Sequence, residues 1–141
     1  MFNTGLKNEL QLLKDELYSL NQVRDSLSQE MLVLVLTPDG VIKSVNNKFL
    51  KELDCSKEYI VGKTLSDLTP SYSRKTEHYN ALLGAIKNVK HWVGAVEIEK
   101  EDGTEAWLRA IVQPILDGTT GKLKEFALHC NDLTRTITSS R

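Results

Sequence analysis

The sequence lacks a long apolar run, a strong net charge and any basic cluster. No apolar stretch approaches the roughly 20 residues that cross a bilayer, and the first four residues lack the basic-then-apolar layout of a signal peptide. The net charge is −1 over 141 residues, and the lysines and arginines are scattered. We therefore expect a cytoplasmic protein with no attraction for nucleic acid and no direct membrane insertion.

Cysteine and catalytic motifs are scarce as well. Cys55 and Cys130 are far apart and fit no Cys-x-x-Cys spacing, so we expect two free thiols in a reducing compartment rather than a disulfide. The three histidines accompany no nucleophile-elbow signature, and no glycine-rich phosphate-binding motif is present. These absences predict that the chain is not an enzyme.

A leucine stripe marks the start of the chain. Its members are separated by steps of three and four residues, apart from one break at Arg24: Leu6, Leu10, Leu13, Leu17, Leu20, Leu27 and Met31. This spacing predicts a helix from about Thr4 to Glu30 with heptad positions a and d on one face. Arg24 occupies an a position, where a polar residue costs stability but can fix register. Residues 1–30 are therefore predicted to form a coiled-coil-like dimerisation helix. The alternative is an amphipathic helix that buries the same stripe on its own domain.

After residue 31 the pattern changes to strands and short helices. A hairpin is predicted around the turn signal Pro38-Asp39-Gly40. Helical turns follow, with Asn46 or Asn47 as the candidate cap of the first and Ser56 as the candidate cap of the second. A longer helix is predicted at about Arg74 to Asn88 with Ser73 as its cap. The predicted strands are about Leu32–Thr37, Val41–Val45, Trp92–Glu99, Glu105–Leu116 and Leu123–Asn131. This order predicts an α+β fold in which helices cover one face of a five-stranded antiparallel sheet.

Alternation along the last two strands predicts which side chains face the helices. One parity is apolar: Leu108, Ala110 and Val112 on one strand, and Phe126, Leu128 and Cys130 on the next. The opposite parity mixes Trp107 and His129 with polar residues. Since successive side chains point to opposite faces of a strand, the apolar sets are expected to line the helix-covered core and any pocket in it.

The element order and several local sequences resemble a PAS domain. The matching pieces are Pro38-Asp39-Gly40-Val41-Ile42, Ser44-Val45-Asn46-Asn47-Lys48-Phe49, Ile60-Val61-Gly62-Lys63, the run from Glu101 to Leu108, Gln113-Pro114-Ile115-Leu116-Asp117, Gly121-Lys122 and Asp132-Leu133-Thr134. Together they cover about residues 31–135. The resemblance implies a PAS domain at 31–135, with residues 136–141 as a linker to an absent effector.

A narrower resemblance points to one class of receptor. Trp92-Val93-Gly94 and Trp107-Leu108-Arg109-Ala110 are similar to PAS domains of bacterial aerotaxis and energy-taxis receptors. This implies a sensory input domain, with a methyl-accepting chemotaxis receptor as parent, which senses a redox, gas or small-molecule signal and relays it through flanking helices. The alternative is a ligand-free dimerisation or docking module of a histidine kinase or a cyclic-di-GMP enzyme.

The resemblance also implies candidate site residues. Trp92 is the candidate flavin-contacting aromatic residue and Asn46 a polar pocket residue, which can equally cap the following helix. His78 is the candidate haem-iron ligand, against the alternative of a surface histidine. Leu108 and Cys130 complete the predicted pocket. FAD is the first candidate cofactor, haem the second, and an empty pocket the third possibility.

Two residues at the end of the domain are candidates for signal relay. By resemblance to the Asp-Ile-Thr sequence that closes many PAS domains, Asp132 and Thr134 would tie the last strand to the outgoing helix. A carboxylate in this position can also cap a following helix. The expected partners are thus a second copy of the chain, through the N-terminal helix, and a C-terminal signalling effector domain.

Overall fold

The computed structural model describes residues 2–133, with side chains from residue 4 onward. The chain divides into two compact units, residues 1–30 and the residues from Met31 onward, and each is described by itself. The candidate relay residue Thr134 lies outside the described residues.

The first unit is a single helix, α1, at Phe2–Glu30. It begins two residues before the predicted start at Thr4. The side chains of its stripe are exposed: Leu6 57%, Leu10 56%, Leu13 61%, Leu17 59%, Leu20 66% and Leu27 40%. Within residues 2–133, no helix combines the length and apolar character needed to cross a membrane.

The second unit contains one five-stranded antiparallel sheet. Its strands are β1 at Leu32–Leu36, β2 at Ile42–Val45, β3 at Trp92–Glu99, β4 at Glu105–Leu116 and β5 at Leu123–Asp132. Their spatial order is β2-β1-β5-β4-β3, so β5 lies at the centre and β3 at one edge. The β1–β2 hairpin turns at Gly40, whose φ of +87° is a conformation that favours glycine. The predicted fold is confirmed.

The helices that follow β2 lie between the two blocks of strands in sequence. They are α2 at Asn47–Glu52, α3 at Lys57–Ile60, α4 at Leu65–Leu68 and α5 at Glu77–Lys87, with a 3₁₀ turn at Ser73–Lys75 before α5. Of the two candidates for the cap of α2, Asn46 caps it through its side chain and Asn47 is the first helical residue, while Ser56 caps α3 as predicted.

The predicted single helix from Arg74 to Asn88 is wrong at its start. Thr76 has extended backbone angles, with φ −82° and ψ 154°, and separates the 3₁₀ turn from α5. The Thr76 hydroxyl donates a 2.6 Å hydrogen bond to the Ser73 carbonyl oxygen. Threonine side chains compete for backbone partners in this way, and the chain therefore changes direction here.

The core lies on one face of the sheet, under the helices. Both predicted apolar parities are buried there, with Leu108, Val112 and Phe126 at most 3% exposed. Phe49 of α2 and Leu65 and Leu68 of α4 close the core from the helix side. The alternation of the last two strands therefore predicted the inner face correctly.

Candidate functional site

A small cavity lies in the core between the sheet and the helices α2 and α4. Its volume is about 10 Å³, which is roughly the space for one water molecule. Ten residues line it: Leu34, Phe49, Leu65, Leu68, Val96, Ile98, Leu108, Ala110, Leu128 and Cys130. Two of the five predicted pocket residues, Leu108 and Cys130, are therefore brought together here.

The lining of this cavity carries apolar side chains and one thiol. Burial raises the pKa of the Cys130 thiol to about 12, because the surroundings disfavour the charged thiolate. At neutral pH the group is a neutral thiol and behaves as a small apolar side chain. The cavity can therefore accept a small apolar molecule, but none of the ten side chains offers a strong hydrogen bond.

Asn46 lies outside this lining and is occupied by backbone groups. Its Oδ1 accepts hydrogen bonds from the amides of Phe49, at 3.0 Å, and Val33, at 3.1 Å. Its Nδ2 donates to the Met31 carbonyl oxygen at 3.0 Å. The helix-capping role is confirmed, and the same amide ties the start of α2 to the start of β1.

Trp92 lies on the cavity face of the sheet but does not line the cavity. It packs partly buried against the core at the beginning of β3, opposite Val112 of β4. Its ring covers Gly94, where an added Cβ would come within 2.4 Å of the indole. Gly94 is therefore required for this ring position. The indole closes the end of the core beyond the cavity.

His78 is remote from the cavity. Its ring lies 5.9 Å from the ring of Trp107, centroid to centroid, and its Nε2 is 3.3 Å from the Thr76 hydroxyl. Trp107 has the opposite parity to the cavity residue Leu108, so its side chain points away from the cavity. The structure places His78 at the edge of the domain instead of the pocket.

Comparison of the sequence with models of known protein families identifies the family of this chain. The family model for the PAS domain matches residues 29–135, which is the unit that contains the sheet, the helices and the cavity. The chain belongs to the PAS domain family. As a PAS domain it is a sensory domain of a signalling protein.

One curated relative extends the comparison to a whole protein. The PAS domain is 26% identical over 108 residues to the biofilm dispersion protein BdlA of Pseudomonas aeruginosa. The match covers 77% of this chain but only 26% of that protein. The chain therefore spans about a quarter of the relative's length.

Solved PAS-type structures share the fold. The PAS domain of a protein from Colwellia psychrerythraea matches with a TM-score of 0.65 and 22% identity, over 82% of this chain and 98% of that one. The LOV domain of a blue-light activated histidine kinase from Erythrobacter litoralis gives 0.62 and 19%, over 74% and 96%. An RNA-binding light-oxygen-voltage receptor gives 0.64 and 18%, over 78% of this chain and 31% of that one. At these identities the likeness shows the fold alone.

The geometry of this PAS domain does not fit either predicted cofactor. Cofactor pockets usually have about 300–1,000 Å³, whereas this cavity has room for about one water-sized sphere. None of the ten side chains that line the cavity could form a strong hydrogen bond with a flavin ring. The predicted haem ligand His78 lies against Trp107, away from this cavity, and none of the ten lining side chains is a histidine that could bind haem iron.

Sequence reasoning missed one buried charge in this PAS domain. Glu97 of β3 is only 2% exposed, and its carboxylate accepts hydrogen bonds from the hydroxyls of Tyr72 and Ser73, the latter at 2.9 Å. The hydrogen bond to Glu97 raises the pKa of Tyr72, since the carboxylate disfavours loss of the tyrosine proton. The only sequence signal was a glutamate between the apolar residues Val96 and Ile98.

The relay candidate Asp132 is the last residue of β5. It pairs with the cavity residue Leu108 across the β4–β5 ladder, and the following amide of Leu133 donates to the Trp107 carbonyl oxygen at 2.7 Å. The ladder therefore continues to the end of the described residues, and the relay role of Asp132 stays a prediction.

Proposed function

We propose that this chain is the sensory input module of a cytoplasmic bacterial signal-transduction protein, with a methyl-accepting chemotaxis receptor as parent. The module has no catalytic activity of its own and passes a small-molecule or gas signal to a C-terminal effector. The Pseudomonas relative, named for biofilm dispersion, supports a bacterial signalling setting. The two unpaired cysteines support a reducing compartment.

The observation that carries the proposal is the position of two strands, β1 and β5. Both line the cavity, through Leu34 on β1 and through Leu128 and Cys130 on β5. They are also paired with each other, with Leu34 opposite Leu128 and Leu32 opposite Cys130. The chain enters the domain at β1 and leaves it after β5. A change in the cavity thus acts on both strands that connect to the rest of the protein.

The cavity chemistry supports a small apolar molecule as the signal. Its lining has apolar side chains and a neutral thiol, so a dissolved gas or a comparably small apolar compound is the fitting ligand class. A ligand can shift an equilibrium only by its differential affinity for the two states. Occupation of the cavity would favour the arrangement in which β1 and β5 are spread slightly further from α2 and α4.

The output is proposed to pass through a homodimer of α1. Six leucines of its stripe are 40–66% exposed along one face, and the heptad spacing matches a two-stranded coiled coil. Exposed apolar surface of this extent favours association, because burial removes it from water. Arg24 at an a position would fix the register of the pair at some cost in stability.

Xenon under pressure is the probe for the cavity because it is apolar and monatomic. Since a xenon atom is larger than a water molecule, its binding requires the slight separation of β1 and β5 from α2 and α4 proposed above. The methyl resonances of Leu34 and Leu128 should shift with xenon pressure and saturate. Ala110→Val, which adds two methyl groups to a cavity-lining residue, should abolish the shifts. Ala106→Val is the matched control, because Ala106 is buried on the same face of β4 but does not line the cavity. Absence of saturable shifts in the wild-type protein would contradict binding.

The absorption spectrum of protein purified without added cofactor tests the cofactor candidates directly. Flavin would absorb near about 450 nm and haem near about 400 nm, as these groups do whatever protein binds them. The size and lining of the cavity lead us to expect a colourless protein. A stoichiometric flavin or haem band, or its recovery on reconstitution, would contradict the apolar-ligand proposal and indicate a redox or gas sensor with a bound cofactor.

The small cavity also favours a second candidate function. A PAS domain with an almost filled core can act as a ligand-free dimerisation or docking module of a histidine kinase or a cyclic-di-GMP enzyme. In that case xenon would produce no saturable shift while the α1 dimer would persist. The combination of these two outcomes would select this second function over the first.

A further inference from the structure

Residues 69–76, which we call the strap, connect the cavity wall to the opposite face of the sheet. The strap follows α4, whose Leu65 and Leu68 line the cavity. Two strap residues, Tyr72 and Ser73, donate hydrogen bonds to Glu97 of β3. Glu97 lies between the cavity-lining residues Val96 and Ile98. Alternation places the Glu97 side chain on the face away from the cavity. Since β3 is the edge strand, the strap passes around a free edge of the sheet.

Hydrogen bonds link the cavity wall to the strap in sequence. The Thr69 hydroxyl donates to the Leu65 carbonyl oxygen at 2.6 Å. Arg74 Nε donates to the Thr69 carbonyl oxygen at 3.1 Å. Tyr72 and Ser73 then bind the buried Glu97 carboxylate. Movement of the strap away from Glu97 would therefore carry the end of α4 with it.

We propose that the strap is the door of the cavity, and that Glu97, with its hydrogen bonds from Tyr72 and Ser73, is the latch that keeps it closed. The proposal rests on the proposed function only in identifying this cavity as the sensing cavity. The two residues that bind Glu97 differ in exposure to solvent: Ser73 is 3% exposed, whereas Tyr72 is 61% exposed. The Tyr72 hydrogen bond can therefore exchange with water while the Ser73 hydrogen bond is still in place, which suits reversible opening. Loss of the outer hydrogen bond would begin the opening.

Simple protection of an edge strand is the competing explanation. Exposed strand edges are commonly covered by loops to prevent aggregation, and a covering loop need not open. The two explanations differ in one observable quantity, namely the rate at which a reagent reaches the cavity under native conditions. An opening door predicts access without global unfolding, whereas an edge cover predicts access only through global unfolding.

Cys130 is a built-in reporter of that access. It lines the cavity and is 3% exposed, so a thiol reagent reaches it only when the cavity opens. Cys55 is half-buried elsewhere and provides an internal reference in the same sample. Iodoacetamide labelling of the full chain, read at each cysteine by peptide mass, would measure both rates.

Tyr72→Phe removes the outer hydrogen bond of the latch and keeps the ring. We expect it to raise the Cys130 labelling rate roughly tenfold, the effect of losing one hydrogen bond to a charged group, with the Cys55 rate unchanged. Ser73→Ala should act in the same direction. The matched control is Tyr59→Phe, because the Tyr59 hydroxyl also binds β3, at the Glu99 carbonyl oxygen 2.7 Å away, but belongs to α3.

Two results would contradict the proposal that the strap opens the cavity. One is an equal Cys130 rate in the Tyr72→Phe and Tyr59→Phe proteins. The other is a Cys130 rate that rises with urea as steeply as global unfolding does, because local opening exposes little surface and depends weakly on denaturant. If xenon gives no saturable shift but Tyr72→Phe still raises the Cys130 labelling rate, ligand binding is contradicted and the opening of the strap is supported.

Discussion

The same residue, leucine, has opposite environments in the two units of this chain. In α1, Leu6, Leu13 and Leu20 are 57–66% exposed, whereas Leu32, Leu68 and Leu82 of the PAS unit are each 1% exposed. The PAS unit buries these three leucines within its own core. The leucines of α1 would be buried only by an additional surface, which we propose is a second copy of the helix.

This difference teaches that a regular apolar pattern predicts a face but not what covers it. The alternation of β4 and β5 and the heptads of α1 are equally regular in sequence. The strands pair with each other and fold under α2 and α4, so local sequence and the same chain supply their partners. A single helix has no such neighbours along its own length.

The largest expected effect is the loss of a core aromatic ring. Phe126 of β5 is fully buried, so Phe126→Ala should lower the free energy of unfolding by about 3–5 kcal/mol. Urea unfolding followed by tryptophan fluorescence would measure this. Leu116→Ala is the control, since Leu116 is 54% exposed and should change stability by less than about 0.5 kcal/mol. Equal losses would contradict the assigned core.

A smaller effect is expected where the PAS unit begins. Asn46→Ala removes a helix cap and two further hydrogen bonds to the backbone near β1. We expect a loss of about 1–3 kcal/mol in the free energy of unfolding, with faster amide exchange at Val33. Asn47→Ala, at the first residue of α2, is the neighbouring control. A near-neutral Asn46→Ala would show that these bonds add little to the junction.

The cap of α4 should contribute less. Thr64 and Asp67 form a reciprocal capping box, and Thr64→Ala should cost about 1 kcal/mol in the free energy of unfolding. Because α4 supplies a wall of the cavity, the same change should also raise the Cys130 labelling rate. A loss of stability without faster labelling would separate the cap from cavity access.

Acid should weaken the same cap. The backbone and side-chain hydrogen bonds of Thr64 hold the pKa of Asp67 below its usual value. A depressed carboxyl pKa contributes stability above the unfolded pKa and loses it as the pH falls through the folded pKa. Unfolding curves between about pH 5 and 2 should therefore decline less steeply for Asp67→Asn than for the wild type. Parallel curves would contradict the role of this carboxylate.

The sequence predicted the sheet well because its signals are local. The bounds of β3 and β4 were predicted to the residue, and β5 differs only by the inclusion of Asp132. Alternating apolar residues and the Asp-Gly turns specify such strands without distant information.

The site was less predictable because it depends on contacts between distant residues. Nothing in the local sequence shows that Glu97 receives the Tyr72 hydroxyl, or that His78 rests against Trp107. The size of the cavity depends on how ten side chains from six elements fill the core. Residue types alone therefore predicted a pocket but could not exclude a flavin or a haem.

Analytical ultracentrifugation of three proteins tests the central contrast between the two units most directly. We predict that the wild-type protein is a dimer and that Leu17→Asp, which places a charge in the stripe, is a folded monomer. Leu12→Asp is the control and should remain a dimer. Leu12 is 63% exposed but lies at heptad position c, off the stripe. A wild-type monomer, or a Leu17→Asp protein that remains dimeric, would contradict the account of α1 as the dimerisation surface.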